Sequence, residues 1–379
     1  MSSETRKSRF EFRLATPADD SCLRRVLSST PMNGRIRIAF AREPSYFAAA
    51  AVDGKQVQVG ICCDTSTGRV AGMGSRSITP RFVNGESSPV GYLGGLRILP
   101  AYRRRSMLLH RGYRFLKALH ADGATRLYLT TIADDNAAAI KVLTSERGGL
   151  PHYQPWGQYY TLALPGDFRS KMNLPNSSDV YCRPAVRGDR DAIIEFLQLH
   201  GTGRQFFPVY DRADLFTEAG LLCGLKPEDI CLAFRGQQLV GTMGAWDQRC
   251  FKQTLVSGYD RWLQATRHFC NAYAAMSGNM RLPEPGTSLN SGVVAIPLID
   301  RNDPVVFRLL LQSHLDTLRD KQIEFLLVGL HQDDPLLPVA RDFARREFVT
   351  RLYVVHWQHE PLDIEKMKNR IPYLELGAL

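Results

Sequence analysis

Three consecutive arginines, Arg103, Arg104 and Arg105, stand where a strand gives way to a helix. The apolar residues of 89–99 predict a buried strand that a proline ends, and the leucine spacing predicts a helix over 104–120. A helix start carries partial positive charge and free N–H groups, so cations there are disfavoured by about 0.3–1 kcal/mol each. An anion at the same place would remove that cost. The pattern predicts a diphosphate site, and a solvated basic patch is the alternative.

This segment resembles the acyl-CoA-binding segment of the GNAT superfamily of N-acetyltransferases. In that family a strand leads into Arg/Gln-x-x-Gly-x-Gly/Ala at the start of a long helix, and residues 103–108 read RRRSML here. The arginine matches, whereas Ser106 and Leu108 replace small residues, and leucine hinders close approach of a diphosphate to the backbone. The resemblance implies acetyl-CoA or another acyl-CoA as co-substrate. It places the binding residues at Leu96, Arg97, Ile98, Arg103, Arg104, Arg105, Ser106 and Met107.

The order of predicted elements over residues 9–165 also resembles a GNAT domain, and 166–178 reads as a linker rich in proline, asparagine and serine. A similar order of strands and helices then starts again over 179–358, before a C-terminal tail at 359–379 that we expect to be flexible. The expected fold class is α/β (α+β). It comprises two GNAT-like domains, each a mixed, mostly antiparallel twisted sheet flanked by helices.

The helix start of the second half carries acidic residues instead of arginines. Asp300 and Asp303 would repel a diphosphate, and Pro304 at the first helical position has no N–H to donate. Asp303 reads as an N-cap. We therefore expect acyl-CoA to bind only the first half.

Acyl transfer to an amine needs a polarised thioester, a base for the amine and an acid for the departing thiolate. The strand backbone near Leu96 and Ile98 is the expected polarising group. The candidate base is Glu86, which is the nearest acid before the strand and also reads as a solvated turn residue. Tyr153 and Tyr160 are candidate acids, with aromatic core packing as the alternative for each.

A second feature of the GNAT resemblance is an asparagine that begins the helix bordering the CoA arm. Here that residue is Asn136, which also reads as an ordinary helix N-cap. The family often has a tyrosine seven residues later, and this chain has Leu143, which cannot donate a proton. Variable loops build the acceptor cleft in this superfamily, and the resemblance places them here at 30–50 and 200–225.

The composition is that of a globular protein, with 44% hydrophobic and 23% charged residues among 379. The formal net charge of +10 is uneven, because residues 1–175 hold 25 Lys+Arg against 13 Asp+Glu and the remainder holds 23 against 25. An excess of +12 in the first half suits a polyanionic ligand. Eight cysteines without a C-x-x-C pair predict reduced thiols, no readable metal site and a cytoplasmic location.

The leading hypothesis is an acyltransferase that moves an acetyl or other acyl group from acyl-CoA to a small-molecule or peptide amine. One alternative is a non-catalytic tandem GNAT-like sensor or scaffold. Another is an aminoacyl transferase that uses charged tRNA, although no basic groove with interleaved aromatic residues is apparent, so nucleic acid is not the expected partner. The sequence predicts no membrane partner and leaves the oligomeric state open.

Overall fold

The computed structural model describes residues 8–32, 34–103, 105–166, 179–277, 281–318, 320–357 and 364–379. Within these residues, one mixed sheet of twelve strands runs through both halves of the chain, with helices on its two faces. Successive side chains of a strand point to opposite faces of the sheet. Ile61 packs with the first helix of the chain on one face, and a Cβ on the neighbouring Gly60 would meet Phe115 of the long helix on the other. None of the described helices has an apolar stretch long enough to cross a bilayer.

The first half contributes seven strands among the described residues. They are β1 (Phe10–Leu14), β2 (Ile36–Ala41), β3 (Gln56–Asp64), β4 (Arg69–Val83), β5 (Glu86–Ile98), β6 (Tyr128–Ala133) and β7 (His152–Pro165). The helices there are α1 (Asp20–Ser28), α2 (Tyr46–Ala50), α3 (Ser106–His120) and α4 (Ala137–Leu143). The β4–β5 hairpin turns at Asn84 and Gly85, whose positive φ angles of 56° and 89° are typical of an Asn-Gly hairpin turn.

The second half repeats much of this order. Its strands are β8 (Val180–Pro184), β9 (Arg204–Gln205), β10 (Ile230–Arg235), β11 (Gln238–Trp246), β12 (Gln253–Tyr259), β13 (Ser291–Ile299), β14 (Phe325–His331), β15 (Arg346–His356) and β16 (Ile371–Pro372). Its helices are α5 (Arg190–Gly201), α6 (Arg261–Ser277), α7 (Pro304–Thr317), α8 (Leu337–Phe343) and α9 (Ile364–Met367). Asp303 caps α7 as predicted, since its Oδ1 accepts from the N–H of Val305 at 2.8 Å.

The two halves exchange their last strands. The sheet order is β1-β3-β4-β5-β6-β15-β7-β14-β13-β11-β10-β8, so β15 of the second half lies between β6 and β7 of the first. Only the β5–β6 and β13–β14 pairs within the described sheet are parallel. The predicted mixed, mostly antiparallel sheet is confirmed, but it is continuous across both halves. The domain boundaries stay a prediction, and the linker lies outside the described residues apart from Gly166.

Two features differ from the sequence prediction. Residues 36–41 form β2, which pairs with β12 of the second half, although residues 30–50 were expected to form a variable loop. The described part of the C-terminal tail is packed rather than flexible, with Tyr373, Leu374 and Glu375 buried. Both differences arise from contacts between distant segments, which local propensity does not report.

Candidate active site

The central feature of the site is the gap where β5 and β6 separate. These strands form parallel ladder pairs at Gly91–Tyr128 and Tyr92–Leu129, and the described residues show no further ladder pair between them. Because both strands continue beyond that point, a wedge opens between their C-terminal ends.

Two side-chain contacts brace the start of this wedge. Thr130 Oγ1 donates to the Leu93 carbonyl at 2.8 Å, and the hydroxyls of Tyr92 and Thr131 lie 2.9 Å apart. Hydroxyl groups on the two strands thus replace the ladder where it ends. Sequence patterns alone did not predict a role for these threonines, whose positions become informative only once the strand pairing is known.

A β-bulge lies on the edge of β5 that faces β4. The register changes between Met73 and Ser75, so that Gly95 and Leu96 lie opposite Gly74. Gly95 has φ of 61°, a left-handed conformation that glycine adopts without a steric penalty. A bulge leaves one residue out of the ladder and can redirect its backbone N–H. The Gly94-Gly95 pair inside an apolar strand is the sequence signal from which this bulge could have been predicted.

The start of α3 lies beside the open end of the wedge. Arg103 donates from Nε to the Ile98 carbonyl at 3.2 Å, and the Arg105 guanidinium lies 5.3 Å from the Phe10 ring centroid. Both arginines are exposed, and neither forms an ion pair within the described residues. Arg104 lies outside the described residues. Two cations without a carboxylate partner therefore lie at a helix start, as the diphosphate hypothesis requires.

The wedge continues into a cavity of about 310 Å³ between the sheet and α3. Its lining includes the predicted residues Leu96, Arg97, Ile98 and Asn136. Most of the other lining side chains are aliphatic or aromatic, and none of the described lining residues is a carboxylate. The gap between the two central strands is thus open, not closed by side chains.

Tyr153 is the one predicted acid that lines this cavity. It is buried on β7, and its hydroxyl is in hydrogen-bond contact with that of Tyr113 on α3. Burial raises the pKa of Tyr113 to about 12 and holds the pKa of Tyr153 well above its ordinary value. Both phenols are therefore protonated at neutral pH. Leu143, where a tyrosine was expected from the GNAT resemblance, lines the same cavity.

The structure places the remaining predicted residues elsewhere. Glu86 is exposed at the beginning of β5, seven residues before Leu93, which corresponds to roughly 20 Å along the strand. Tyr160 donates to Gln158 Oε1 at 2.8 Å and packs against the core of the second half, not the cavity. The structure therefore does not bring Glu86 and Tyr160 to the site.

The remaining predicted binding residues lie at the first turns of α4 and α3. Asn136 caps α4, accepting from the Ala139 N–H at 3.2 Å, and also borders the cavity, so both interpretations fit its position. Ser106 is the first residue of α3, and Met107, which follows it, is 62% exposed. Their N–H groups belong to the first turn, which has no intrahelical acceptors for its first donors.

A buried polar cluster lies on the other side of the bulge. A Cβ built on Gly95 would lie 3.7 Å from the Tyr46 hydroxyl, and the Arg42 guanidinium lies 4.8 Å from the Tyr46 ring centroid. Asp53 contacts Arg42 at 2.7 Å and Lys252 at 2.8 Å. Burial lowers the pKa of Lys252 to about 8. Lys252 comes from the second half, so both halves contribute to the surroundings of the bulge.

Comparisons with known proteins agree with this geometry. Residues 29–148 match the model of the Acetyltransferase (GNAT) family. The fold is similar to that of a GCN5-related N-acetyltransferase from Sphaerobacter thermophilus, with a TM-score of 0.54, 12% identity and 98% of each chain covered. It is also similar to Saccharomyces cerevisiae N-myristoyltransferase, solved with bound myristoyl-CoA, with a TM-score of 0.58, 12% identity, and 97% of this chain and 90% of that chain covered. No curated protein sequence matches this chain.

At 12% identity these structural likenesses concern the fold alone. The segment at 29–148 contains the separated strands, the bulge and the start of α3. Residues 29–148 thus match the GNAT acetyltransferase model, within a fold that is similar to that of a GCN5-related N-acetyltransferase over nearly its whole length.

Proposed function

We propose that this protein transfers an acyl group from acyl-CoA to an amine of a small-molecule or peptide acceptor. The observation that carries the proposal is the combination of separated strands, a bulge at Gly95 and two arginines at the start of α3 that form no ion pair with any described residue. In this arrangement the diphosphate of CoA binds near Arg103 and Arg105, and the thioester lies in the wedge beside the bulge.

The chain's own groups then have distinct roles. A backbone N–H at the bulge donates to the thioester oxygen and stabilises the negative charge that develops on it. The amine nitrogen forms a bond to the carbonyl carbon, the carbon–sulfur bond breaks, and the thiolate takes a proton from Tyr153. Since the described lining residues include no carboxylate, the proton lost by the amine passes to water, and Tyr153 regains a proton from water after the thiol forms.

Titration calorimetry with acetyl-CoA tests the binding step. Exchanging Arg103 and Arg105 for glutamate together should weaken binding by about tenfold or more, because two charge-assisted contacts become repulsive. The matched control is Arg114→Glu on α3, which changes an exposed cation outside the cavity lining. Absence of wild-type binding at millimolar ligand, or equal binding by the double variant and the wild type, would contradict the proposal.

Turnover distinguishes transfer from a scaffold that only binds CoA. The measurement is thiol release from acetyl-CoA and longer acyl-CoA thioesters over a panel of amines. Sustained release that depends on the amine supports the transferase. CoA binding without release for any amine would favour the sensor or scaffold. That alternative is supported by Leu108, which replaces a small residue of the GNAT motif, and by Leu143, which replaces the usual tyrosine.

Transfer from charged tRNA remains the other alternative, because residues 1–175 carry an excess of +12. An RNA-binding protein that neutralises several phosphates loses affinity steeply as salt rises. A flat salt response in RNA binding would exclude this alternative.

The proposal also includes a cytoplasmic location, because all eight cysteines are free thiols.

A further inference from the structure

The inner face of α3 is incompletely packed against the sheet. Leu109, Phe115, Leu116 and Leu119 lie on the face turned to the cavity, and each is only half-buried. An amphipathic helix normally buries such a face in the core.

Helix α7, at the corresponding place in the second half, provides an internal comparison. Its inward residues Val306, Phe307, Leu310, Leu311 and Leu315 are each no more than 1% exposed. The same kind of helix on the same sheet is therefore fully packed in one half and lies over a cavity in the other.

Glycines explain much of this difference. Gly60 on β3 and Gly74 on β4 lie directly opposite each other, so both face α3, and Gly112 lies on the facing side of the helix. A Cβ on Gly74 would meet nothing closer than Leu96 Cδ1 at 3.8 Å, and one on Gly112 would meet Phe12 Cε1 at 3.5 Å.

The glycine that faces the helix in the second half behaves differently. A Cβ on Gly241 of β11 would lie 2.8 Å from Val306 Cγ1 and 3.1 Å from Leu310 Cδ1. There the helix side chains fill the space above the glycine. In the first half the space above Gly74 belongs to the cavity.

The inner end of the cavity offers a ligand no unpaired polar partner among the described residues. Arg76 lies at this end, and its Nε donates to the Tyr128 hydroxyl at 3.0 Å. Its Nη1 donates to Gln58 Oε1 at 2.8 Å, and both Nη atoms bind Asp122, at 2.7 and 2.8 Å. Because these donors are already satisfied, a polar ligand group placed there would lose its hydrogen bonds to water without replacement.

We propose that the space between α3 and strands β3–β4 binds the hydrocarbon chain of a fatty acyl-CoA, so that the preferred donor is longer than acetyl-CoA. This inference rests on the proposed function, because the chain must be attached to a thioester in the wedge. The half-buried leucines of α3 and the glycines Gly60, Gly74 and Gly112 line the space that would hold the hydrocarbon chain.

The test is calorimetric titration of the full chain with free CoA and with acetyl-, butanoyl-, octanoyl- and decanoyl-CoA. Each methylene transferred from water to an apolar site strengthens binding by up to about fourfold, so affinity should rise steadily beyond acetyl and then level off. The chain length at which it levels off reports the distance from the thioester to Arg76.

Filling variants test the location of the chain. Gly74→Val and Gly112→Leu add side chains whose Cβ atoms meet only ordinary contacts. Each should reduce the ratio of decanoyl-CoA to acetyl-CoA affinity by about tenfold or more. The matched control is Gly188→Val, at an exposed position where an added Cβ meets nothing within 4 Å, and it should keep the wild-type ratio. Thermal unfolding of each filling variant shows whether the protein is still folded. A folded variant with a reduced affinity ratio has lost binding of the acyl chain and not its fold.

Different outcomes identify which proposal fails. Equal affinity for acetyl-, octanoyl- and decanoyl-CoA, with normal binding of free CoA, would overturn the chain site and leave the acyltransferase proposal intact. A chain-length preference that both filling variants retain would also overturn it. Absence of binding to every CoA species would overturn the proposed function itself.

Discussion

The hydroxyl groups of Tyr113 and Tyr153 are in hydrogen-bond contact at the wall of the cavity, where α3 faces β7. Two phenols that share one hydrogen bond retain a second O–H proton. Because burial raises the pKa of both groups, that proton stays in place at neutral pH. Of the predicted acids, only Tyr153 of this pair lines the cavity among the described residues, which is why we propose it as the proton source.

Tyr153→Phe is expected to lower kcat by about 100-fold, since positioned acids contribute about 10²–10⁴-fold. Binding of acyl-CoA should change far less, because the phenyl ring keeps its packing. The pH profile of the wild type should show no loss from tyrosine ionisation below about pH 10, given the raised pKa values. The control is Tyr181→Phe, whose ring lies exposed on β8. A Tyr153→Phe enzyme with wild-type kcat would exclude the acid role.

Gly95→Ala is expected to damage both stability and turnover. The φ of 61° is unfavourable for alanine, and the new Cβ would lie 3.3 Å from Ser75 Oγ. The free energy of unfolding should fall by about 1–3 kcal/mol, and turnover should fall further if the bulge N–H polarises the thioester. Urea unfolding and thiol release measure the two effects separately. Gly188→Ala, which needs no positive φ, is the control. Full activity in Gly95→Ala would show that the bulge conformation is dispensable.

The sequence predicted the parts of the site that depend on local chemistry. The strand, its proline stop and the basic helix start at 103–105 are contiguous, so periodicity and capping rules were enough. Tyr153 and Tyr160 could not be separated in this way, because their different surroundings depend on where β14 and β15 join the sheet. Glu86 was the nearest acid in sequence, but a strand rises about 3.3 Å per residue, which puts it far from the wedge.

The ion pair between Arg76 and Asp122 is expected to contribute pH-dependent stability. Asp122→Asn should lower the free energy of unfolding by about 1–3 kcal/mol at pH 7, because Arg76 is almost fully buried and would lose its charged partner. The hydrogen bond from Arg76 lowers the pKa of Asp122 to about 2. Since the folded pKa lies below the unfolded one, this contribution is present above about pH 4 and disappears as the pH falls toward 2.

Urea unfolding at pH 7, 4 and 3 tests this sign. The difference between the wild type and Asp122→Asn should shrink at each step toward lower pH. Asp135→Asn, at an exposed carboxylate without an ion pair in the described residues, should stay within about 0.5 kcal/mol of the wild type throughout. A difference that is constant or grows on acidification would contradict the assignment.

Asp53 is expected to be critical for joining the two halves, because it contacts Arg42 of the first half and Lys252 of the second. Asp53→Asn would remove the carboxylate that two largely buried cations share, which costs about 3–5 kcal/mol of unfolding free energy. The Lys55–Asp211 pair also joins the halves but is exposed, so Asp211→Asn is the matched control and should cost no more than about 1 kcal/mol. Adding Lys252→Met to Asp53→Asn should recover part of the loss, because it removes one of the unpaired charges. If Asp53→Asn and Asp211→Asn lower the free energy of unfolding in urea by the same amount, the Asp53 cluster is no more important than the exposed pair. The junction of the two halves would then depend on the exchanged strands β7 and β15.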